Sequence, residues 1–109
     1  MILDSTDKNY EKISRAELAL YEVIDPELMV NIVDLGLVYD IEIVKDTVIK
    51  VTMTLTTPHC PMGDAIQTGV KNVLEKEFPE DQVEIDLTFE PAWNYDLVSS
   101  EGMQQLNNR

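Results

Sequence analysis

The stretch Thr57-Pro58-His59-Cys60-Pro61-Met62-Gly63-Asp64 holds the chain's single cysteine and its single histidine, side by side between two prolines. A thiolate is a soft metal ligand and a nucleophile, and a neutral imidazole is a metal ligand or a base. A lone cysteine forms no internal disulfide, and this usage fits a reducing cytoplasm. Apolar alternation ends near Thr56 and a helical pattern begins near Pro61. Cys60 is therefore expected at a strand-to-helix turn, close to the N-cap. Pro61 then falls on the first helical position, where its missing N–H costs nothing. Free backbone N–H groups and the positive end of the helix dipole favour a thiolate there. Gly63 leaves the approach open, whereas the charge of Asp64 opposes thiolate formation.

Each of these residues also has a plainer reading. Free cysteine is among the most buried residue types, so Cys60 is either a small core hydrophobe or a functional thiol. Its place between prolines at a helix start favours the second. His59 adjoins Cys60, and neighbouring side chains diverge, so it is a poor base for that thiol. An exposed loop residue and a metal ligand both stay open for it. Trp93, in Pro91-Ala92-Trp93-Asn94, is the sole tryptophan. It is either a core or rim anchor or a stacking surface for a ligand. No P-loop, paired-cysteine or nucleophile-elbow motif occurs.

The elements that must position these residues follow from hydrophobic periodicity. Residues 1–10 read as a loose N-terminus, and 11–109 as a single domain. Glu11 to Ile24 is expected to be helical, with Ile13, Ala16, Leu20, Val23 and Ile24 on one stripe, and Pro26 ends it. Asp25 to Gly36 matches no single period. It is long for a connection and rich in apolar residues, so it should fold over the core and hold Asp25, Glu27 and Asp34 in place. Leu37 to Val44 and Val48 to Thr56 alternate and read as a hairpin, with Leu37, Tyr39, Ile41 and Ile43 inward on the first strand. On the second, Ile49, Val51, Met53 and Leu55 point inward and Lys50, Thr52 and Thr54 outward.

Met62 to Phe78 is a second amphipathic helix, with Gly69 allowing close packing on the sheet. Val83 to Glu90 alternates as a third strand, the stretch around Trp93 is a loop, and Glu101 to Leu106 forms a short helix. The fold class is α+β: a small two-layer sandwich of order α-β-β-α-β-(α), with amphipathic helices on one face of a three-stranded sheet. Strand order and direction do not follow from periodicity.

Composition narrows the partners. The chain has 109 residues, 44% of them apolar, and 21 acidic against 8 basic residues give a net charge of -13. Such a length buries ~65% of the unfolded chain's surface. The charge repels nucleic-acid backbones and anionic lipids, so neither is expected as a partner. It serves solubility, or it attracts a basic protein or a cation. No apolar run approaches the ~20 residues of a membrane span, and Met1-Ile2-Leu3-Asp4 lacks the regions of a signal peptide.

Four motifs in order carry a resemblance: the Asp25-Pro26-Glu27 turn, Asp34-Leu35-Gly36-Leu37-Val38-Tyr39, the Thr-x-Pro-x-Cys-Pro turn around Cys60, and Pro91-x-Trp93. Together they resemble the small iron–sulfur cluster assembly family that includes SufT and the phenylacetate-degradation protein PaaD. The same domain also occurs joined to Mrp-type ATPases. The resemblance runs from about residue 12 to 107, and the tail is closest to the bacterial members.

It implies a compact α/β fold and a role in maturing iron–sulfur proteins, with iron–sulfur carriers and recipient apoproteins as partners. It also implies that Cys60 is the reactive cysteine. Asp25, Pro26, Glu27 and Asp34 are expected on the same face as Cys60, with Thr57, Pro61 and Trp93 completing that surface. Clusters are usually held by four thiolates, so one cysteine alone holds none stably. A homodimer would supply two, with His59 or small molecules completing a labile site for iron or a cluster. Two other readings stand beside the maturation factor: an adaptor serving one metalloenzyme system, and a thiol enzyme with Cys60 as nucleophile. The last lacks an oriented base.

Overall fold

Alternating apolar residues in the middle of the chain become three strands, and the two amphipathic stretches become the helices that cover them. The structure, a computed structural model, describes residues 10–45, 47–56 and 63–107. In chain order the elements are α1 (Tyr10–Leu20), β1 (Val38–Val44), β2 (Val48–Met53), α2 (Gly63–Glu77) and β3 (Gln82–Leu87). A 3-10 turn (Tyr95–Leu97) and α3 (Ser100–Asn107) follow. The α+β order expected from periodicity holds. Residues 1–9 of the expected loose N-terminus lie outside the described residues, and Tyr10 already belongs to α1.

The sheet order is β1-β2-β3. β1 and β2 pair antiparallel as a hairpin, whereas β2 and β3 pair parallel from Val48↔Gln82 to Met53↔Leu87. A parallel pair needs a crossover, and α2 supplies it. Ile49, Val51 and Met53 of the central strand are fully buried, as are Val70 and Leu74 of α2, Ala16 and Leu20 of α1. Exposed Glu84 and Asp86 of β3 alternate with half-buried Val83 and Ile85, which pack on the core. One face of the sheet is therefore covered and the other is polar.

Four local expectations are corrected. α1 stops at Leu20 instead of running to Ile24. The chain then tightens into i→i−3 bonds, with Tyr21, Glu22 and Val23 N–H donating to Leu18, Ala19 and Leu20. Val23 still reaches the core, but Ile24 is 47% exposed and pairs with Asn31 in an isolated antiparallel bridge. In β1 the register shifts between Val38 and Asp40. This bulge sets both Leu37 and Val38 in the core and leaves Tyr39 half-buried, because one extra residue breaks the two-residue period. Thr54, expected to face outward, is fully buried, since β2 is over and its N–H bonds Leu37 O at 2.8 Å. Gly69 meets Val23, not the sheet: a Cβ there would lie 3.3 Å from Val23 Cγ1.

Candidate functional site

The strand directions decide where the sequence motifs lie. Val38, Met53 and Leu87 form the last rung of the sheet. Leu37 O accepts from Thr54 N–H at 2.8 Å, and Met53 O accepts from Thr88 N–H at 2.9 Å. The start of β1, the end of β2 and the end of β3 thus share one end of the sheet. The Asp34-Leu35-Gly36-Leu37 segment leads into that end. Thr54 to Thr56 lead out of it toward the cysteine stretch, and Thr88 leads out toward Trp93. Thr57, His59, Cys60 and Pro61 themselves lie outside the described residues, as does Met62; α2 is described from Gly63.

Asp25 is 1% exposed and organises the turn after α1. Its Oδ1 accepts the N–H groups of Glu27 (2.8 Å) and Leu28 (3.0 Å), the local bonding that makes aspartate a turn former. Its own N–H donates to Val30 O and its carbonyl accepts from Met29 N–H. Met29 takes a positive φ of 59°, which completes the reversal. Pro26 and Glu27 are carried on the surface, while the Asp25 carboxylate stays inside. Its buried Oδ2 has no hydrogen-bond partner among the described residues.

Asp34 is a clasp. Its Oδ2 accepts from Asn31 Nδ2 at 2.7 Å and its Oδ1 from the Ser99 hydroxyl at 2.8 Å. Its backbone N–H donates to Asn31 Oδ1, and its backbone carbonyl accepts from Ser99 N–H at 2.7 Å. Ser99 in turn caps α3, its hydroxyl oxygen accepting the Gly102 N–H at 3.0 Å. Both carboxylate oxygens are therefore engaged, so Asp34 holds the tail in place and is not a free acid or base.

The tail crosses closely above this loop. Gly36 has φ +78°, and a Cβ there would sit 2.2 Å from Leu97 O, so only glycine fits both the conformation and the contact. The Trp93 indole N–H donates to Leu35 O at 2.6 Å, and the ring lies 5.1 Å from that of Tyr95, tilted 59°. Of the two sequence readings for Trp93, these contacts make it an anchor of the tail. Tyr39, turned by the bulge, donates its hydroxyl to Pro91 O at 2.6 Å. Burial raises the Tyr39 phenol pKa above its ordinary value, against the lowering effect of a Thr54 hydrogen bond. The Tyr21 phenol is raised too, first by burial and then by the negative charges of Asp34, Glu17 and Glu101.

Sequence reasoning singled out Asp25, Asp34 and Trp93 but missed Asn31 and Ser99, the partners of Asp34, and the bond from the Tyr39 hydroxyl to Pro91 O. Ser99 at the start of a helical pattern is a legible N-cap, and Asn31 three residues before Asp34 is a legible local turn. The bond between Asp34 and Ser99 joins segments 65 residues apart and has no local signal. Among the described residues no group of three His, Cys, Asp or Glu side chains is placed to hold a metal ion. With one cysteine in the whole chain, its own donors do not fit a resident cluster.

Fold and site together define a small α+β domain whose Asp34 loop and C-terminal tail meet at one end of a short mixed sheet. Residues 14–87 match the family described as iron–sulfur cluster assembly protein, and the chain belongs to that family. It is 47% identical over 87 residues to an "Fe-S protein maturation auxiliary factor" of Porphyromonas gingivalis strain W83, covering 80% of this chain and 83% of that one. It is also 47% identical over 78 residues to the "Fe-S protein maturation auxiliary factor SufT" of Staphylococcus aureus strain USA300, covering 71% and 88%. A crystal structure of a domain of unknown function from Bacillus anthracis superposes with a TM-score of 0.85 at 37% identity, covering 89% of this chain and 92% of that one. Among the described residues no helix is long and apolar enough to cross a membrane.

Proposed function

We propose that the protein is an iron–sulfur maturation factor that takes iron or a labile cluster as cargo through Cys60 and docks onto cluster carriers and recipient apoproteins. The observation that carries this reading is the shared sheet end. Mixed strand pairing gathers the Asp34-to-Leu37 loop, the tail anchored by Trp93 and the flank of the cysteine stretch. The names of two relatives sharing 47% identity support the role in maturation. On this reading Asp25 and Asp34 shape the surface around Cys60, and Pro26, Glu27, Thr57, Pro61 and Trp93 belong to it. His59 is a second donor. Two copies of the chain bring two thiolates to the cargo and leave the shell incomplete, which suits transfer. The protein acts in the cytoplasm.

Anaerobic reconstitution with iron and sulfide, wild type beside Cys60→Ser, tests this. Visible absorption and molecular size are followed together. Colour that appears with a dimer and is lost in Cys60→Ser is the expected result. Equal colour in both proteins, or none in either, removes Cys60 as the cargo ligand.

A further inference from the structure

Five large apolar side chains near the Asp34 clasp face solvent. Met29 is 66% exposed, Tyr95 59%, Ile24 47%, Tyr21 40% and Leu97 39%. Two of the segments that carry them meet at one residue, Asp34. Ile24 pairs with Asn31, whose side chain bonds Asp34; Leu97 lies two residues before Ser99, which bonds Asp34 from the other side. The Leu97 carbonyl packs on Gly36, and Met29 closes the turn that Asp25 shapes. These side chains are held by a rigid, hydrogen-bonded frame, so their exposure is built in. Grouped apolar exposure of this kind marks an interaction site.

The charge carried by these segments is all negative. Between Ala16 and Val44, and again between Glu77 and Asn107, the chain carries no Lys, Arg or His. Every element of this face comes from those two stretches. Glu22, Asp96 and Glu101 are exposed there, with Glu17 half-buried. The negative field is felt at Tyr21, whose phenol is pushed up partly by Asp34, Glu17 and Glu101. Lys12 and Arg15 pair with Asp81 and Glu77, and Lys50 lies near Asp86; only at the Glu22 edge do cations come close, where Arg15 and Lys76 line a hollow with it.

We propose that the face bearing Tyr21, Ile24, Met29, Tyr95 and Leu97 docks a basic amphipathic segment of a partner protein. The partner's apolar side chains seat on these five, and its Lys or Arg side chains meet Glu17, Asp96 and Glu101. Charge selects this occupant. A second copy docking at this face would set acid against acid, and an anionic lipid surface would do the same, so neither fits here. The inference rests on the docking half of the function proposed above and names the partner's chemistry; it does not depend on Cys60.

The test is a two-dimensional NMR titration of the nitrogen-15-labelled full chain. The probes are three synthetic peptides: a Leu/Lys amphipathic helix, the same peptide with Leu replaced by Ser, and a Leu/Glu amphipathic helix. The first should shift Tyr21, Ile24, Met29, Tyr95 and Leu97, bind about tenfold more tightly than the Ser peptide, and weaken with salt. Exposed-site variants Ile24→Ser with Met29→Asn should lose most of that binding, while Glu84→Gln with Asp86→Asn on the open sheet face should not.

Shifts spread over the whole acidic surface, equal affinity for the Leu/Lys and Ser peptides, or no binding would overturn the proposal. So would a concentration-dependent dimer that buries these residues. Cys60→Ser should bind the peptide as the wild type does. Localised docking with no Cys60-dependent colour sinks the cargo reading alone, and Cys60-dependent colour with no localised docking sinks this one alone.

Discussion

The two ends of the sheet handle polar groups in opposite ways. At the motif end Asp25, Asn31, Asp34 and Thr54 are buried, and Asp34 is bonded through both carboxylate oxygens and both backbone groups. At the far end, where β3 begins, Lys12 and Arg15 of α1 meet Asp81 and Glu77 over the Phe78 ring. The hollow of about 600 Å³ there, lined by these groups, Glu11 and Glu80, is open and charged. The Arg15–Glu77 pair leaves 58% and 42% of its side chains in water. Exposed pairs contribute little, whereas a buried carboxylate with several donors is costly to disturb. A large hollow is thus a poor guide to the site in this protein, and the buried polar clasp is the better one.

The largest expected effect is at the clasp. Asp34→Ala strands the donors of Asn31 and Ser99 and should cost about 4 kcal/mol, lowering the melting temperature by roughly 20 °C. Asp34→Asn should fall between the two. If Asp34→Ala melts within a degree or two of wild type, the contrast between the ends is wrong. Gly36→Ala comes next. It meets both a positive φ and the Leu97 carbonyl, and about 3 kcal/mol is expected, with Trp93 fluorescence shifting as the tail is displaced. An unchanged emission spectrum and melting curve would show that the tail does not press on this loop.

A smaller effect depends on pH. The folded Tyr39 pKa lies above its ordinary value of 10.0. Between these values the folded state keeps a proton that the unfolded chain loses. Its stabilisation is complete below the ordinary value and is lost as pH rises through the folded one. Denaturant midpoints should therefore fall at alkaline pH, with Tyr21 adding in the same direction. Tyr39→Phe should flatten that fall, while costing about 0.5–1 kcal/mol at neutral pH for the lost bond to Pro91. An alkaline slope identical in the variant would remove Tyr39 as its source. The smallest change belongs to the far end: Glu77→Gln should move stability by less than about 0.5 kcal/mol, and less still at high salt. A loss comparable to Asp34→Ala would erase the distinction between the two regions.

Much of the framework was legible before any coordinates. Period-two and period-3.6 patterns report which side chains are apolar on one face, and that is a local property. Hence the three strands, the two main helices, the fold class and the short C-terminal helix all follow from residues within one element. So does the expectation that the apolar stretch after α1 folds over the core: Val30, Ile32 and Leu35 are buried there. The motifs, read together, also pointed to the family.

What the tertiary structure decided depends on contact between remote segments. Parallel pairing of β3 with β2 brings the start of β1, the end of β2 and the end of β3 to one sheet end, and nothing in either strand's own pattern distinguishes parallel from antiparallel. The bulge at Tyr39 turns its hydroxyl to Pro91, 52 residues along the chain, and a two-residue period cannot announce its own interruption. The role of Asp34 is the clearest case. The family resemblance marked it as part of the surface around Cys60, yet the hydroxyl and amide of Ser99, far along the chain, hold it buried as a structural clasp. Local sequence determines which face of an element is apolar; only the packed chain determines which polar groups must leave water, because that depends on what covers them.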